Sequence, residues 1–130
     1  MRFIPTKFHA PLDYIVGVAL IAAPWIFQFS DVTAATLVSI VLGIGLIAYS
    51  LFTNYELGVW KIAPMAIHNL FDIAAGALLA ASPWIFGFAD ESANVWAPHV
   101  VLGLAAIFLG LTTVQPGYSY RKTTPTTAAG

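Results

Sequence analysis

With 130 residues, 59% hydrophobic and only 8% charged, and a mean hydropathy of +0.83, the chain has too few charges to coat a soluble domain, which carries about 25%. A net charge of −1 leaves no electrostatic footprint for nucleic acid. The absence of cysteine excludes disulfides, thiolate metal sites and dithiol redox chemistry, and the length allows one domain.

The apolar residues fall in four stretches, roughly 11–29, 33–53, 65–88 and 95–114. Each is about 20 residues, enough to cross a hydrocarbon core of about 30 Å as helix, and continuous apolar character argues against the alternating strands of a membrane barrel. The first stretch follows a basic start (Arg2, Lys7) and contains Ala22-Ala23, a pattern that imitates a cleavable secretion signal. Because the same pattern returns at 61–90, inside the chain, it is expected to be a permanent helix. It ends in Pro24-Trp25-Ile26-Phe27 and an acidic turn with Asp31; the second stretch runs back. Residues 54–60 form a short linker whose Tyr55 and Trp60 suit the headgroup level. The third stretch ends in Pro83-Trp84-Ile85-Phe86 and a turn with Asp90 and Glu91, and the fourth returns. Beyond it, 115–130 has no pattern that could bury a core and is expected to be a flexible tail.

Residues 2–31 align with 61–90 at a constant offset of 59, with 12 of 30 positions identical, among them His9/His68, Asp13/Asp72, Gly17/Gly76, Pro24/Pro83, Trp25/Trp84 and Asp31/Asp90. After one inserted residue the offset becomes 60 and relates Gly43 to Gly103 and Leu51 to Leu111. The expected fold is an all-α membrane protein of four transmembrane helices, built as two parallel-repeat hairpins (about 2–53 and 61–114). A pseudo-two-fold axis would lie along the membrane normal. Four spans put both termini on one side, with Arg2, Lys7, Lys61, Arg121 and Lys122, whereas the opposite turns carry only acids. The positive-inside rule then predicts a multi-pass protein of the cytoplasmic (inner) membrane with both termini cytoplasmic.

Each proline removes a backbone donor, so the carbonyls of Leu20 and Leu79 need other partners in lipid. Trp25, about 18 Å of helix beyond Asp13, reaches the outer interface, where Phe27, Phe29, Phe86, Phe88 and Trp96 thicken an aromatic belt. Asp31 and Asp90 stand as N-cap candidates for the return helices. Small-residue stripes (Asp72-x-x-x-Gly76-x-x-x-Ala80, Ala19-x-x-x-Ala23, Ser39-x-x-x-Gly43, Ala106-x-x-x-Gly110) let backbones approach closely, within the bundle or between protomers.

The strings AAPWIFQFSD (22–31) and ASPWIFGFAD (81–90) resemble the SPW-repeat family of small integral membrane proteins, named for a Ser-Pro-Trp signature in the first helix of each two-helix repeat. The second copy keeps Ser82-Pro83-Trp84; the first reads Ala23-Pro24-Trp25, which implies that the serine hydroxyl is dispensable in one copy. The resemblance implies a fold and a location and brings no biochemical activity with it.

The unusual chemistry is His-x-x-x-Asp, present as His9/Asp13 and His68/Asp72, neighbours on one helical face near the cytoplasmic boundary. A lone carboxylate there is costly, so a partner is expected. Three readings stay open. The pairs form a polar clasp that fixes how the hairpins dock; they handle protons or ions; or His9 and His68 are axial ligands of a b-type haem with Lys7 and Lys61 at its propionates. Against the last, Pro11 as the first residue of its helix would leave His9 outside it. His99, early in the last helix at the outer side, is expected to be an interfacial or hydrogen-bonded histidine rather than a co-ligand. No nucleotide loop, no metal cluster of usual spacing and no Ser-His-Asp arrangement occurs, so catalysis is disfavoured and no cofactor is expected. The expectation is a non-catalytic scaffold or accessory subunit whose partners are the bilayer and either a second copy or another membrane protein. A small proton-linked transporter or channel is second, and a haem- or quinone-binding subunit third.

Overall fold

The computed structural model describes residues 2–53 and 57–114 and contains four helices: α1 (Thr6–Ile26), α2 (Thr33–Leu51), α3 (Met65–Ile85) and α4 (Ala93–Thr112). All four are long and apolar enough to cross a membrane. At 1.5 Å per residue the 21-residue α1 and α3 are about 31 Å long, close to the hydrocarbon thickness. Most inter-helix contact lies within the pairs α1/α2 and α3/α4, with α2 against α3 the main seam between them. The fold is therefore two hairpins joined side by side. Tyr55 and the tail 115–130 lie outside the described residues.

Glycine decides how close the paired helices come. A Cβ at Gly103 would stand 2.5 Å from the Ala80 nitrogen and 2.6 Å from the Gly76 oxygen, so α3 and α4 touch backbone to backbone. In the first hairpin Gly43 meets the Gly17 oxygen in the same way, at 2.7 Å. The stripe that α1 buries is Asp13, Gly17, Leu20 and Ala23, with Ala19 half-buried off to one side, which shifts the expected Ala19/Ala23 stripe around the helix. These small residues serve contacts inside each hairpin.

The two proline-tryptophan ends lie together. Phe29 and Phe88 are buried there with Ala23, Ala35 and Val95, and Trp96 packs against the group. Only part of the expected aromatic belt is therefore a belt: Trp25, Trp84, Phe27 and Phe86 are exposed on the outer surface of the bundle, whereas Phe29 and Phe88 fold back into its core. The turn geometry explains the split. Phe29 N–H donates to Pro24 O and Phe88 N–H to Pro83 O, both at 2.8 Å, closing a Schellman cap around a left-handed residue, Gln28 (φ 58°) in one copy and Gly87 (φ 77°) in the other. The cap turns the chain so that the residue after it points inward.

Two expectations about helix starts are corrected. α2 begins after Val32 and α4 after Ser92, and neither start has a side-chain cap, so Asp31 and Asp90 precede the caps they were expected to form. α1 begins after Pro5 and runs through Pro11, which places His9 inside the helix. The donor missing at Pro11 would have bonded the carbonyl of Lys7, in the opening turn, where an interrupted ladder is cheapest.

At the opposite end the chain crosses between hairpins. Ile4 pairs with Thr113 and Thr53 with Ala63 in two isolated parallel bridges. The stretch before α1 thus binds the end of α4 (Ile4 N–H to Thr112 O, 3.0 Å), and the stretch before α3 binds the end of α2 (Ala63 N–H to Phe52 O, 2.8 Å). Arg2 adds two bonds from its guanidinium to the carbonyls of Gly110 and Thr113, at 2.8 and 2.9 Å, where the carbonyl end of α4 favours a cation.

Candidate functional site

The four residues of the two His-x-x-x-Asp pairs meet at this crossed end. His9 and Asp13 project from the first turns of α1, and His68 and Asp72 from those of α3, all between 0% and 3% exposed. His9 Nε2 lies 2.9 Å from Asp13 Oδ1 on its own helix and 2.9 Å from Asp72 Oδ2 on the other hairpin. His68 Nε2 lies 2.9 Å from Asp13 Oδ2 and 3.4 Å from Asp72 Oδ2. Each imidazole therefore contacts both carboxylates. The imidazole rings stand edge to face with centroids 5.4 Å apart.

The outward ring nitrogens are held by residues that the spacing did not point to. His9 Nδ1 meets Thr113 Oγ1 and His68 Nδ1 meets Thr53 Oγ1, each at 2.5 Å. Both threonines end a return helix, and each serves the histidine of the other hairpin. Thr53 donates its only hydroxyl hydrogen to Tyr49 O at 2.7 Å. Its oxygen must then accept from His68, which places a hydrogen on His68 Nδ1. The signal in the sequence was the recurrence of threonine at 53 and 113, one repeat apart.

The site is not fully even between copies. Tyr49 donates its hydroxyl to Asp72 Oδ1 at 2.7 Å, and its ring lies 4.8 Å from that of His68; its equivalent, at offset 60, is Leu109. Asn69, whose equivalent is Ala10, donates to Thr113 O at 3.3 Å. Beyond the tetrad, towards the tryptophan end, lies a cavity of about 40 Å³. Asp13, Asp72 and Tyr49 are its polar lining and the rest is Leu, Val, Ala and Gly.

The arrangement does not fit axial ligation of haem. Both Nε2 atoms face carboxylate oxygens 2.9 Å away, and no slot for a macrocycle separates the rings.

The proline-tryptophan residues take other roles. The carbonyl of Leu79, freed by Pro83, accepts from Ser82 Oγ at 2.6 Å, so the serine of Ser-Pro-Trp repairs the break made by its own proline. In the first copy Ala23 cannot do this, and the Leu20 carbonyl accepts instead from Ser39 Oγ on α2. The equivalent of Ser39 is His99, buried between Phe29 and Phe88 (ring centroids 5.3 and 4.8 Å). Its Nδ1 lies 2.7 Å from Val95 O and its Nε2 3.0 Å from Ala35 O, tying α4 to α2 at the end remote from the tetrad.

Four apolar helices in two hairpins, each broken by Pro-Trp at one end and crossed with the other at the opposite end, define a multi-pass integral membrane protein. The SPW repeat domain matches residues 7–113, which spans both hairpins, and the chain belongs to that family. No curated protein and no solved structure matches it.

Proposed function

We propose that this protein is a non-catalytic membrane module, a scaffold or accessory subunit, in which the His/Asp tetrad is the clasp that docks one hairpin on the other. The observation that carries the reading is where the polar groups are spent. His9 and His68 each meet a threonine hydroxyl and a carboxylate oxygen of the opposite hairpin, so the chemistry is directed inward at the joint. Removing one member of a buried charged pair is strongly destabilising, and such groups act as glue between membrane helices. A pseudo-two-fold axis along the membrane normal would pass through the tetrad. The basic residues put this end, and both termini, at the cytoplasmic face. The exposed outer surface of the bundle, rich in Ile, Val, Leu and Phe, is left for lipid, a second copy or a membrane partner.

The test is gentle-detergent purification of the full chain followed by mass spectrometry of everything bound. A stoichiometric protein partner or a self-assembly supports the reading; a colourless monomer that catalyses turnover of a copurified metabolite refutes it. A second reading, proton or ion movement, draws on the contact of Asp13 and Asp72 with the central cavity. It requires pH-dependent flux in liposomes that disappears in Asp13→Asn or Asp72→Asn. The apolar lining beyond the carboxylates counts against it.

A further inference from the structure

We propose that the tetrad is a binding site for one divalent transition-metal ion, with Zn²⁺ the best fit. Its ligands are His9 Nε2, His68 Nε2 and one carboxylate oxygen each from Asp13 and Asp72. The inference deepens the clasp reading and rests on it for the site's role, since the ion would bridge the same two hairpins.

Geometry is the first support. Donor atoms from all four residues lie within 4.8 Å of one another. A tetrahedral Zn²⁺ with ligands at 2.0–2.1 Å holds them about 3.3 Å apart. Asp72 Oδ2 lies 2.9 and 3.4 Å from the two Nε2 atoms, and Asp13 turns Oδ1 to His9 and Oδ2 to His68, each at 2.9 Å, so a shift that brings one Asp13 oxygen to face both nitrogens seats the ion. Alignment is the second. His9 Nε2 and Asp72 Oδ2 are fully buried and 2.9 Å apart, yet neither makes a hydrogen bond of acceptable direction. Donors that crowd together without pointing at one another are what ligands around a shared centre look like.

Charge and protons supply the third. With its hydrogen on Nδ1, His68 presents Asp13 with an Nε2 lone pair, a contact that needs either a second proton or a cation between the two atoms. One dication and two carboxylates sum to zero, the total best tolerated in a low-dielectric site. The surroundings are those of a metal site as well. Thr53 and Thr113 hold the distal ring nitrogens, and the Tyr49 hydroxyl occupies Asp72 Oδ1, leaving Oδ2 for the ion. Two imidazoles with two carboxylates suit Zn²⁺ rather than Mg²⁺ or Ca²⁺, which take six or more oxygens. Four protein ligands leave no open position, as in structural zinc sites. The two His-x-x-x-Asp pairs, 59 residues apart, match no metal motif in sequence; only the fold gathers them.

The test uses the full-length protein in mild detergent, stripped with chelator and titrated with Co²⁺ and then Zn²⁺. One Co²⁺ per chain, the intense visible bands of a four-coordinate ion, and loss of that colour on adding Zn²⁺ are expected. Asp13→Asn and Asp72→Asn should abolish the bands. Thr53→Val, which keeps all four ligands, should bind about 10- to 100-fold more weakly. Folded wild-type protein that takes up no Co²⁺, shows only the pale spectrum of a six-coordinate ion, or binds equally after Asp13→Asn overturns the proposal. Thermal unfolding of the metal-free samples separates the two ideas. If wild type binds no metal while Asp72→Asn still lowers its midpoint, the clasp stands and the metal site falls; a metal-binding wild type whose metal-free midpoint Asp72→Asn leaves unchanged overturns the clasp.

Discussion

The two copies of the repeat meet the same backbone defect and repair it from different directions. Where Ser82 precedes Pro83, the orphan carbonyl of Leu79 is satisfied within its own helix; where Ala23 precedes Pro24, the Leu20 carbonyl is reached by Ser39 on the neighbouring one. What must be kept is therefore a hydroxyl at the freed carbonyl, and the chain position that supplies it is open to change. The local repair in the second copy also releases position 99 from that duty. There the histidine reaches the Ala35 carbonyl and binds one hairpin to the other. At the opposite end histidine, aspartate and threonine recur in both copies and each copy completes the other's site, while Tyr49 and Asn69 stand where the other copy has Leu109 and Ala10.

Four pairs of substitutions break or sharpen this comparison, in order of expected effect. Asp72→Asn and Asp13→Asn should each cost about 3 kcal/mol, measured by denaturant titration in micelles, because each carboxylate faces both imidazoles. A loss at one site alone would mean that the two copies do not share the site. Gly103→Ala should lose about 1–3 kcal/mol, since the new methyl meets backbone. Gly17→Ala in the first copy should lose less, because its nearest neighbour is the movable Ile47 side chain; unfolding midpoints of the pair give the ranking. Ser39→Ala should cost about 1 kcal/mol, and adding Ala23→Ser should recover most of it by importing the second copy's solution. If the double variant is no better than the single, the exchange of roles is wrong. Smallest, Gln28→Gly should stabilise by up to about 1 kcal/mol by removing a side chain from a left-handed position, whereas Gly87→Gln should do the reverse.

Much of the fold was legible because the physics behind it is coarse. Four apolar runs of bilayer length give four helices, and an internal copy with the same flanks gives two hairpins of one sense. The orphan carbonyls were legible too, since proline's missing donor is a matter of sequence offset, but their acceptance by Ser39 and Ser82 depends on which faces oppose. Helix α1 began earlier than expected because Thr6, Lys7 and His9 interrupt the apolar run without interrupting the helix. Phe29 and Phe88 were misassigned to the interface because a Schellman cap reverses the chain within two residues, a turn that aromatic content alone does not disclose. The i, i+4 spacing put His and Asp together within each helix. That each histidine would also meet the other helix's carboxylate, under a threonine from the opposite hairpin, needed the crossing at the chain-start end.

That crossing has a consequence for how such a molecule can be built. A single hairpin would carry a histidine whose threonine sits elsewhere and an extended entry segment with no helix end to bind. Two separate hairpins of this kind would complete each other by exchange of these elements, with no new contact invented. The covalent join between the hairpins then raises the local concentration of one half around the other. Expressed as two unlinked pieces, 1–56 and 57–130 should recombine into the native bundle, and neither piece alone should be stable.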